Sequence, residues 1–197
     1  PRSLDGLRVL VSAGGTREPV DSVRFLGNRS SGRMGLALAQ QALQRGAAVT
    51  LVSANPTIPS PPGVDEVKVE TTAQLEAAVR ERFPACDVLI MAAAPADFRP
   101  VAPAGTKLSR EGAGLTLELE PTEDIVAAAA GSKRPDQTVV GFAAEHGAGA
   151  VERGRAKLER KGLDAVVVND ISRADIGFDS DENEVTIVLA DGEREVG

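Results

Sequence analysis

The sequence predicts an α/β fold: a Rossmann-like, doubly wound and mostly parallel sheet, with a flap or hairpin excursion around residues 99–121. Two observations carry this prediction. Short runs rich in β-branched residues alternate with segments of helical spacing along most of the chain. One run, DVLIMAAA at 87–94, is continuously apolar, as expected for a central parallel strand that is buried on both faces. The length of 197 residues suits a single domain over 1–197, with residues 1–6 as a linker.

The alternation of strands and helices begins at residue 7. Short apolar runs predict strands over 7–13, 47–55, 65–70, 87–94, 138–145, 164–170 and 184–192. Helical spacing predicts helices over 35–46, 71–83, 122–130 and 150–162. A glycine ends the first helix, a threonine caps the second, and acids occupy the first turn of the third, where the helix dipole favours them. Each strand is thus followed by a helix or a turn, as a doubly wound sheet requires.

The middle of the chain has a different composition. Residues 99–122 are rich in glycine and proline, and then LTLELE at 115–120 alternates with a period of two. We therefore predict a mobile loop beside a hairpin strand.

The bulk composition excludes several classes of protein. No stretch approaches the roughly 18 consecutive apolar residues of a membrane span, and the first residues do not resemble a signal peptide. A net charge of -7 argues against a nucleic-acid binder. The single Cys86 cannot form an internal disulfide, and with the single His146 it makes a Cys/His zinc site implausible. We expect a cytoplasmic protein in which Cys86 is a buried thiol and His146 a loop residue.

Two neighbouring segments, SAGGTREP at 12–19 and GNRSSGRMG at 27–35, concentrate glycines, hydroxyl groups and arginines between the first strand and the first helix. Residues 14–35 hold four arginines against two acids, a local charge of +2. A glycine-rich turn that leads into a helix binds phosphate through free backbone N–H groups and the helix dipole. The segment therefore predicts an anion site, although a glycine-rich surface loop with solvated arginines is the alternative.

Familiar phosphate motifs are absent. The chain has no GxxxxGK[ST], so it is not a P-loop ATPase, and no GxGxxG follows the first strand. The second strand ends in SANP rather than in an acid that could hold a ribose. A short-chain reductase would also need a catalytic tyrosine, and the chain contains none. Nicotinamide-dependent redox chemistry is therefore disfavoured.

A long motif, AGGTREPVDSVRFLGNRSSGRMG at 13–35, resembles the signature of the phosphopantothenoylcysteine synthetase family, the second half of a bacterial bifunctional protein of coenzyme A biosynthesis. Further similar motifs follow in order along nearly the whole chain: AAAPADFRP (92–100), TKLSR (106–110), TEDIV (122–126), GFAAE (141–145), KLERKGLD (157–164), VNDIS (168–172) and GFDSDENE (177–184).

The resemblance implies a ligase that joins 4'-phosphopantothenate to L-cysteine. Bacterial members use CTP with Mg²⁺: the carboxylate attacks the α-phosphate, giving an acyl-cytidylate and pyrophosphate, and the cysteine amine then displaces CMP. The resemblance also implies a homodimer with its active site at the interface. A flavin-dependent decarboxylase half would precede this domain and would carry the FMN, so we expect the chain to be a fragment of a longer protein. A catalytically silent nucleotide-binding domain of the same fold is the alternative.

The resemblance also implies roles for individual residues. By resemblance, the nucleotide phosphates would be contacted by Gly14, Ser30, Gly32 and Gly35. Asn28 would hold the acyl-cytidylate, and Arg24 would reach the phosphopantothenate site of the neighbouring subunit. Asp97, with Ala93 and Ala94, would lie at the active site. Lys107 matches an essential lysine, which would neutralise phosphate charge; the family often has Lys-x-Lys-Lys, and Ser109 stands at the third position here.

Further implied nucleotide contacts lie later in the chain. They are Thr122, Glu123, Asp124 and Ile125, where the family usually has Asn-Pro-Asp-Ile, and then Phe142, Lys157, Lys161 and Asn169. The residues alone leave ordinary roles open for several positions. Asp97 could be an ordinary turn residue, and Phe142 could be part of the hydrophobic core. Lys157 and Lys161, four apart on one helical face, would suit a solvated surface.

Overall fold

The structure, a computed structural model, describes residues 2–110, 114–145, 147–170 and 185–196. His146 and the motif at 177–184 lie outside the described residues. The strands are β1 (Arg8–Gly14), β2 (Arg17–Pro19), β3 (Phe25–Gly27), β4 (Ala48–Ala54), β5 (Asp65–Val69), β6 (Val88–Met91), β7 (Phe98–Pro100), β8 (Leu119–Pro121), β9 (Thr138–Glu145), β10 (Ala165–Asp170), β11 (Val185–Leu189) and β12 (Gly192–Val196). The helices are α1 (Arg33–Gln44), α2 (Thr72–Arg82), α3 (Ile125–Ser132) and α4 (Ala150–Lys161), with a 3-10 turn at Phe83–Ala85.

Eight of these strands form one sheet in the order β5-β4-β1-β6-β9-β10-β11-β12. All neighbours are parallel as far as β10, and β11 and β12 then add antiparallel to the edge. From β1 the chain first moves outward through β4 and β5, then crosses to β6 on the other side. The order reverses between β1 and β6, and that reversal opens a crevice at the carboxyl ends of the strands. The predicted Rossmann-like, doubly wound sheet is confirmed.

Helices cover both faces of this sheet. On one face α1 packs through Leu36 and Ala39 on the buried side chains of β1 and β4. On the other face α2, α3 and α4 enclose a larger core that includes Leu75 of α2, Ile125 of α3 and Leu158 of α4. Every residue of β1 after the first is buried. The run at 87–94, predicted as a central strand buried on both faces, forms β6 over Val88–Met91 only, where Leu89 and Met91 are buried and Val88 and Ile90 are half-buried.

Two predicted helix signals are confirmed. Thr71 caps α2 by accepting a hydrogen bond from the Gln74 N–H, and the Gln74 side chain completes a capping box. Gly46, with a φ of 95°, lies just beyond the end of α1 in the left-handed region that glycine adopts most readily.

The excursion is smaller than the alternation of LTLELE predicts. Among the described residues between 101 and 121, only Leu119–Pro121 (β8) forms a strand, and it pairs antiparallel with β7. The helix α3 begins at Ile125, so Glu123 and Asp124 precede the helix rather than occupying its first turn. The prediction of acids inside the first turn was therefore wrong, because Asp124 instead caps the helix by accepting from the Ala127 N–H at 3.2 Å.

A second hairpin, made of β2 and β3, was not predicted. It lies within the glycine-rich segment and packs against β7.

Cys86 is buried as predicted, and burial, followed by the charge of Asp87, raises the pKa of its thiol to about 11. Leu4, in the expected linker, donates its N–H to the Arg45 carbonyl and packs on the core beneath α1. None of the helices in the described residues is long and apolar enough to cross a membrane.

Candidate functional site

The glycine-rich segment enters α1 through a turn in which the N-cap residue is a glycine, and the Ser31 hydroxyl accepts from the Arg33 N–H at a long 3.5 Å. Gly32 precedes the helix with a φ of 83°, and no acidic side chain occupies the first helical turn. A Cβ on Gly35 would lie 2.6 Å from the Ala13 Cβ and 2.8 Å from the Ser12 carbonyl oxygen, so glycine is required for α1 to approach β1 this closely. The positive end of the helix dipole therefore faces the crevice, which is the geometry of an anion site.

Neighbouring loops hold this segment in place. The Ser31 carbonyl accepts hydrogen bonds from the Thr57 N–H and hydroxyl, at 3.0 and 3.1 Å. Asn28 donates its side-chain amide to the Pro95 carbonyl at 2.9 Å, which ties the segment to the loop after β6. Asn55, with a φ of 46°, donates its side-chain amide to the Gly15 carbonyl at 3.0 Å. The segment is thus braced from both neighbouring strands.

The loop after β6 forms the second wall of the crevice. The Ala93 N–H donates to the Ser12 hydroxyl at 3.1 Å, and the Ala96 N–H donates to the Thr16 hydroxyl at 2.8 Å. Ser12 and Thr16 are completely buried, so their hydroxyls act as internal anchors. Asp97 follows the second anchored residue and is exposed at the carboxyl edge of the sheet.

The start of α3 forms the third wall. The Thr122 hydroxyl donates to the Ala96 carbonyl at 2.6 Å, and its N–H donates to the Asp97 carbonyl at 3.0 Å. Asp124, the cap of α3, forms an ion pair with Lys161 at 2.7 Å. Burial acts to raise the pKa of Asp124, but the hydrogen bonds from Lys161 and the Ala127 N–H outweigh it and lower the pKa. The Asp124 carboxylate is therefore ionised and committed to structure.

Two lysines of α4 bring positive charge to the crevice. Lys157 donates its ammonium to the Phe142 carbonyl on β9. Burial lowers the pKa of Lys157, and the neighbouring charge of Lys161 lowers it further. The charges of Asp124 and Glu145 oppose this lowering only in part, so an anion in the crevice would further stabilise the charged form of this half-buried ammonium.

Asn169 contributes a polar atom without a partner. Its Oδ1 is buried and, within the part of the chain that the structure describes, accepts no hydrogen bond. Asn169 pairs in register with Ala144 on β9, two residues beyond the Val167 to Phe142 pair. A buried acceptor without a donor is costly, so a ligand N–H or O–H at this position would be favoured.

These walls enclose a cavity of about 850 Å³ at the reversal between β1 and β6. It brings together all but three of the predicted site residues: Asn28, Ser30, Gly32, Gly35, Ala93, Ala94, Asp97, Thr122, Glu123, Asp124, Ile125, Phe142, Lys157, Lys161 and Asn169. The cavity is surrounded by the backbone N–H groups at the start of α1, two ammonium groups and an exposed carboxylate. It can therefore bind a polyanion and orient a second polar substrate.

Three predicted residues do not line this cavity. Gly14 lies behind the turn: its backbone N would be 3.2 Å from a Cβ on Gly32. Arg24 forms an ion pair with Asp21 of its own chain and donates to the Leu108 carbonyl at 2.7 Å. Lys107 is exposed on the excursion. In this chain, neither Arg24 nor Lys107 is therefore part of the cavity wall.

Sequence reasoning missed the residues that brace the site. Ser12 lies near the end of the buried strand β1, and Thr16 follows that strand. A hydroxyl group at such a position needs an internal partner, and this requirement is the signal that could have indicated both residues. Asn55 and Thr57 lie in or beside the proline-rich loop after β4, and only their position at the carboxyl edge of the sheet could have singled them out.

Among the described residues, no group of three or more His, Cys, Asp and Glu side chains is arranged to hold a metal ion by itself.

Comparison with known proteins agrees with this architecture. Residues 4–196 match the family described as the DNA/pantothenate metabolism flavoprotein C-terminal domain. The chain is 43% identical over 202 residues to the coenzyme A biosynthesis bifunctional protein CoaBC of Mycobacterium tuberculosis (strain H37Rv), a match that covers 98% of this chain and 48% of that protein. It is 41% identical over 188 residues to a protein of an unknown prokaryotic organism named cysteine/cysteine sulfinic acid decarboxylase, covering 95% of this chain and 52% of the relative.

A solved structure of the C-terminal domain of a CoaBC protein superposes with a TM-score of 0.84 at 35% identity, covering 100% of this chain and 89% of that one. The chain spans about half the length of the curated relatives it matches. It belongs to the DNA/pantothenate metabolism flavoprotein C-terminal domain family.

Proposed function

We propose that this chain is a phosphopantothenate–cysteine ligase that activates 4'-phosphopantothenate with CTP. The observation that carries the proposal is the cavity in which the amino-terminal end of α1, with a glycine as its N-cap residue, faces Lys157 and Lys161. Such a site suits a triphosphate, and the relatives include bifunctional proteins of coenzyme A biosynthesis.

Nucleotide binding divides between the two sides of the cavity. Ser30, Gly32 and Gly35 would contact the phosphates through hydroxyl and backbone N–H groups, and Gly14 would support their turn from behind. Lys157 and Lys161 would offset the phosphate charge from the opposite wall. Phe142 would pack on the nucleoside, and the unpartnered Oδ1 of Asn169 would accept from one of its donors. The backbone of Thr122–Ile125 completes this wall.

The reaction then proceeds in two displacements at the same place. A carboxylate oxygen of phosphopantothenate attacks the α-phosphorus, and the bond to pyrophosphate breaks. The amine nitrogen of cysteine next attacks the acyl carbon, the bond to CMP breaks, and the amine loses a proton. Asn28, fixed by its bond to Pro95, would hold the acyl phosphate without competing as a nucleophile. Ala93, Ala94 and Asp97 would position the acyl chain.

The cavity also fits Mg²⁺ delivered with the nucleotide. Asp97 and Glu123 place carboxylates on its wall, and Mg²⁺ is commonly held by one or two carboxylates together with substrate phosphates. When bound, the ion would neutralise charge on the triphosphate.

A homodimer would give Arg24 its predicted role. Arg24 lies outside the cavity of its own chain, so in a dimer it would reach the phosphopantothenate site of a second copy. Lys107, on the excursion, would neutralise phosphate charge during acyl transfer. Exposed apolar side chains lie on the same two hairpins: Val23, Phe25 and Phe98 are 62%, 52% and 54% exposed. Exposed apolar side chains on two adjoining hairpins suit an interface between copies.

A flavin-dependent decarboxylase unit that carries FMN would accompany this domain in the whole protein. The support is that this chain covers about half of the bifunctional relatives.

Pyrophosphate release tests the proposal. We expect release with CTP, 4'-phosphopantothenate and cysteine together, slower release with ATP in place of CTP, and formation of the amide product. No release above background would contradict the ligase and favour a catalytically silent nucleotide-binding domain. Carbon dioxide release from cysteine without nucleotide would favour the activity for which one relative is named.

A further inference from the structure

Asp21 is a buried carboxylate in the turn between β2 and β3. Its side chain is fully enclosed. One oxygen, Oδ1, accepts the N–H groups of Val23 and Arg24, at 2.8 and 2.7 Å, and these bonds shape the turn. The turn itself therefore needs only this one oxygen.

The second oxygen binds another part of the chain. Oδ2 accepts the Leu108 N–H at 3.1 Å and the Arg24 Nε–H at 2.8 Å. Arg24 in turn donates from Nη2 to the Leu108 carbonyl at 2.7 Å. One ion pair thus satisfies both backbone polar groups of Leu108, which is 84 residues away from Arg24 in the sequence.

Leu108 lies in a segment without helix or strand. Nearby, the Ala104 N–H donates to the Val20 carbonyl at 2.9 Å, which adds a second attachment to the same turn. Residues 104–108 are therefore held by contacts with the β2–β3 hairpin rather than by a structure of their own.

We propose that Asp21, Arg24 and Leu108 form a latch that sets the position of Lys107, and that Asp21 is a positioning residue for the reaction. The hairpin leads through β3 directly to Asn28, so the latch couples Lys107 to the segment at the start of α1. Burying a carboxylate is costly unless it is paired and hydrogen-bonded, and here four N–H groups compensate it. The effect on turnover rests on the proposed ligase activity, whereas the latch itself does not.

Asp21→Asn separates the two duties of the side chain. The amide oxygen can keep the hydrogen bonds from the Val23 and Arg24 N–H groups. The NH2 group then faces two other donors, the Leu108 N–H and the Arg24 guanidinium, so the hydrogen bonds that Oδ2 accepts are lost. We expect amide hydrogen exchange of Leu108 in the full chain to rise about tenfold or more, because charge-assisted hydrogen bonds are lost. Asp65→Asn, at an exposed strand residue, removes the same charge and should leave this exchange unchanged.

Arg24→Lys is a second variant that keeps the positive charge beside Asp21. A lysine lacks the planar fork that reaches Asp21 and Leu108 together, so exchange at Leu108 should rise here too. Unchanged exchange in both variants would overturn the latch.

Kinetics then test the positioning role. We expect Asp21→Asn to lower kcat about tenfold or more, with KM for CTP changed less than about threefold, because a small displacement of Lys107 affects the reacting geometry more than nucleotide binding. Faster exchange with unchanged kcat would overturn the positioning role. A wild-type chain without ligase activity would contradict the proposed function, while the exchange measurement would still decide the latch.

Discussion

At the amino end of the central sheet, acidic and basic side chains pair with one another, whereas at the carboxyl end the lysines converge on a cavity. Arg8, at the start of β1, pairs with Asp87 before β6 at 2.7 Å. Lys133 pairs with Asp164 before β10 at 2.5 Å. At the other end Lys161 pairs with Asp124 at 2.7 Å, whereas Lys157 forms no ion pair within the described residues and donates to a backbone carbonyl. The start of α1 has no acidic residue in its first turn.

The charged side chains at the amino end therefore stabilise the fold, whereas those at the carboxyl end are available to bind a ligand. Charges at the amino end are compensated within the protein, so they join neighbouring strands without attracting a ligand. Positive potential at the carboxyl end remains partly uncompensated, and burial disfavours the ammonium of Lys157 until an anion arrives. The same sheet can therefore be perturbed at one end with loss of function and at the other with loss of stability alone.

Gly14→Ala should have the largest effect, because it disrupts both the sheet and the anion site. A Cβ at this position would lie 1.9 Å from the Ala54 carbonyl oxygen, and its φ of 86° strains any L side chain. We expect the free energy of unfolding to fall by about 3 kcal/mol or more, measured by denaturant titration. Gly131→Ala in α3, with open space around the added methyl, should be neutral or slightly stabilising. Equal stability of the two variants would contradict the close approach of β1 and β4.

Asn28→Asp should separate chemistry from nucleotide binding. The new carboxylate would face the Pro95 carbonyl without a donor and would add negative charge beside the acyl phosphate. We expect kcat for amide formation to fall about 100-fold, with the Kd for CTP changed less than about threefold. Gln44→Glu, on the exposed end of α1, makes the same charge change outside the cavity and should alter neither value. Unchanged turnover in Asn28→Asp would remove Asn28 from the reaction.

The sequence predicted the central sheet well because its signals are local and repeated. The strands β1, β4, β9 and β10 span six to eight residues and are rich in apolar and β-branched side chains, and glycine marks the turn before α1. The β2–β3 hairpin has strands of three residues, too short to show a period. The glycine-rich anion segment followed from physical reasoning, whereas most individual site residues came from the family resemblance.

Other features depend on contacts that no local pattern contains. Lys107 lies in an irregular segment whose position is set by a carboxylate far away in the sequence, so neither propensity nor spacing could place it. Likewise, the burial of the Asn169 Oδ1 without a hydrogen-bond donor results from the pairing of β9 with β10, which the sequence around Asn169 does not show. Tertiary contacts determine such positions, and a single sequence does not show them.

Lys157→Met tests the uncompensated charge at the carboxyl end. Methionine keeps the length and apolar stem of the side chain but loses the ammonium, so the protein should stay folded. We expect the Kd for CTP to rise about tenfold, measured by calorimetric titration, with a weaker dependence of binding on salt. Lys68→Met, at an ammonium whose side chain is 80% exposed on β5, serves as the matched control. Equal affinities in the two variants would show that the cavity cations do not bind the nucleotide.

Asp87→Asn should have the smallest effect, confined to stability and dependent on pH. The side-chain hydrogen bond from Arg8, followed by the bond from the Arg8 N–H, lowers the pKa of Asp87 to about 2. A lowered folded-state pKa stabilises the fold above the ordinary carboxyl pKa of about 4, and this contribution disappears as the pH falls from about 4 to about 2.

At pH 7 we therefore expect the Tm of Asp87→Asn to lie about 2–4 °C below that of the wild type, a difference that shrinks toward zero near pH 2. Nucleotide affinity should not change, since the pair lies at the opposite end of the sheet from the cavity. Asp65→Asn controls for the loss of one negative charge. A Tm difference that persisted unchanged to pH 2 would mean that Asp87 acts through packing rather than through its charge, and a change in CTP affinity would show that the two ends of the sheet are coupled.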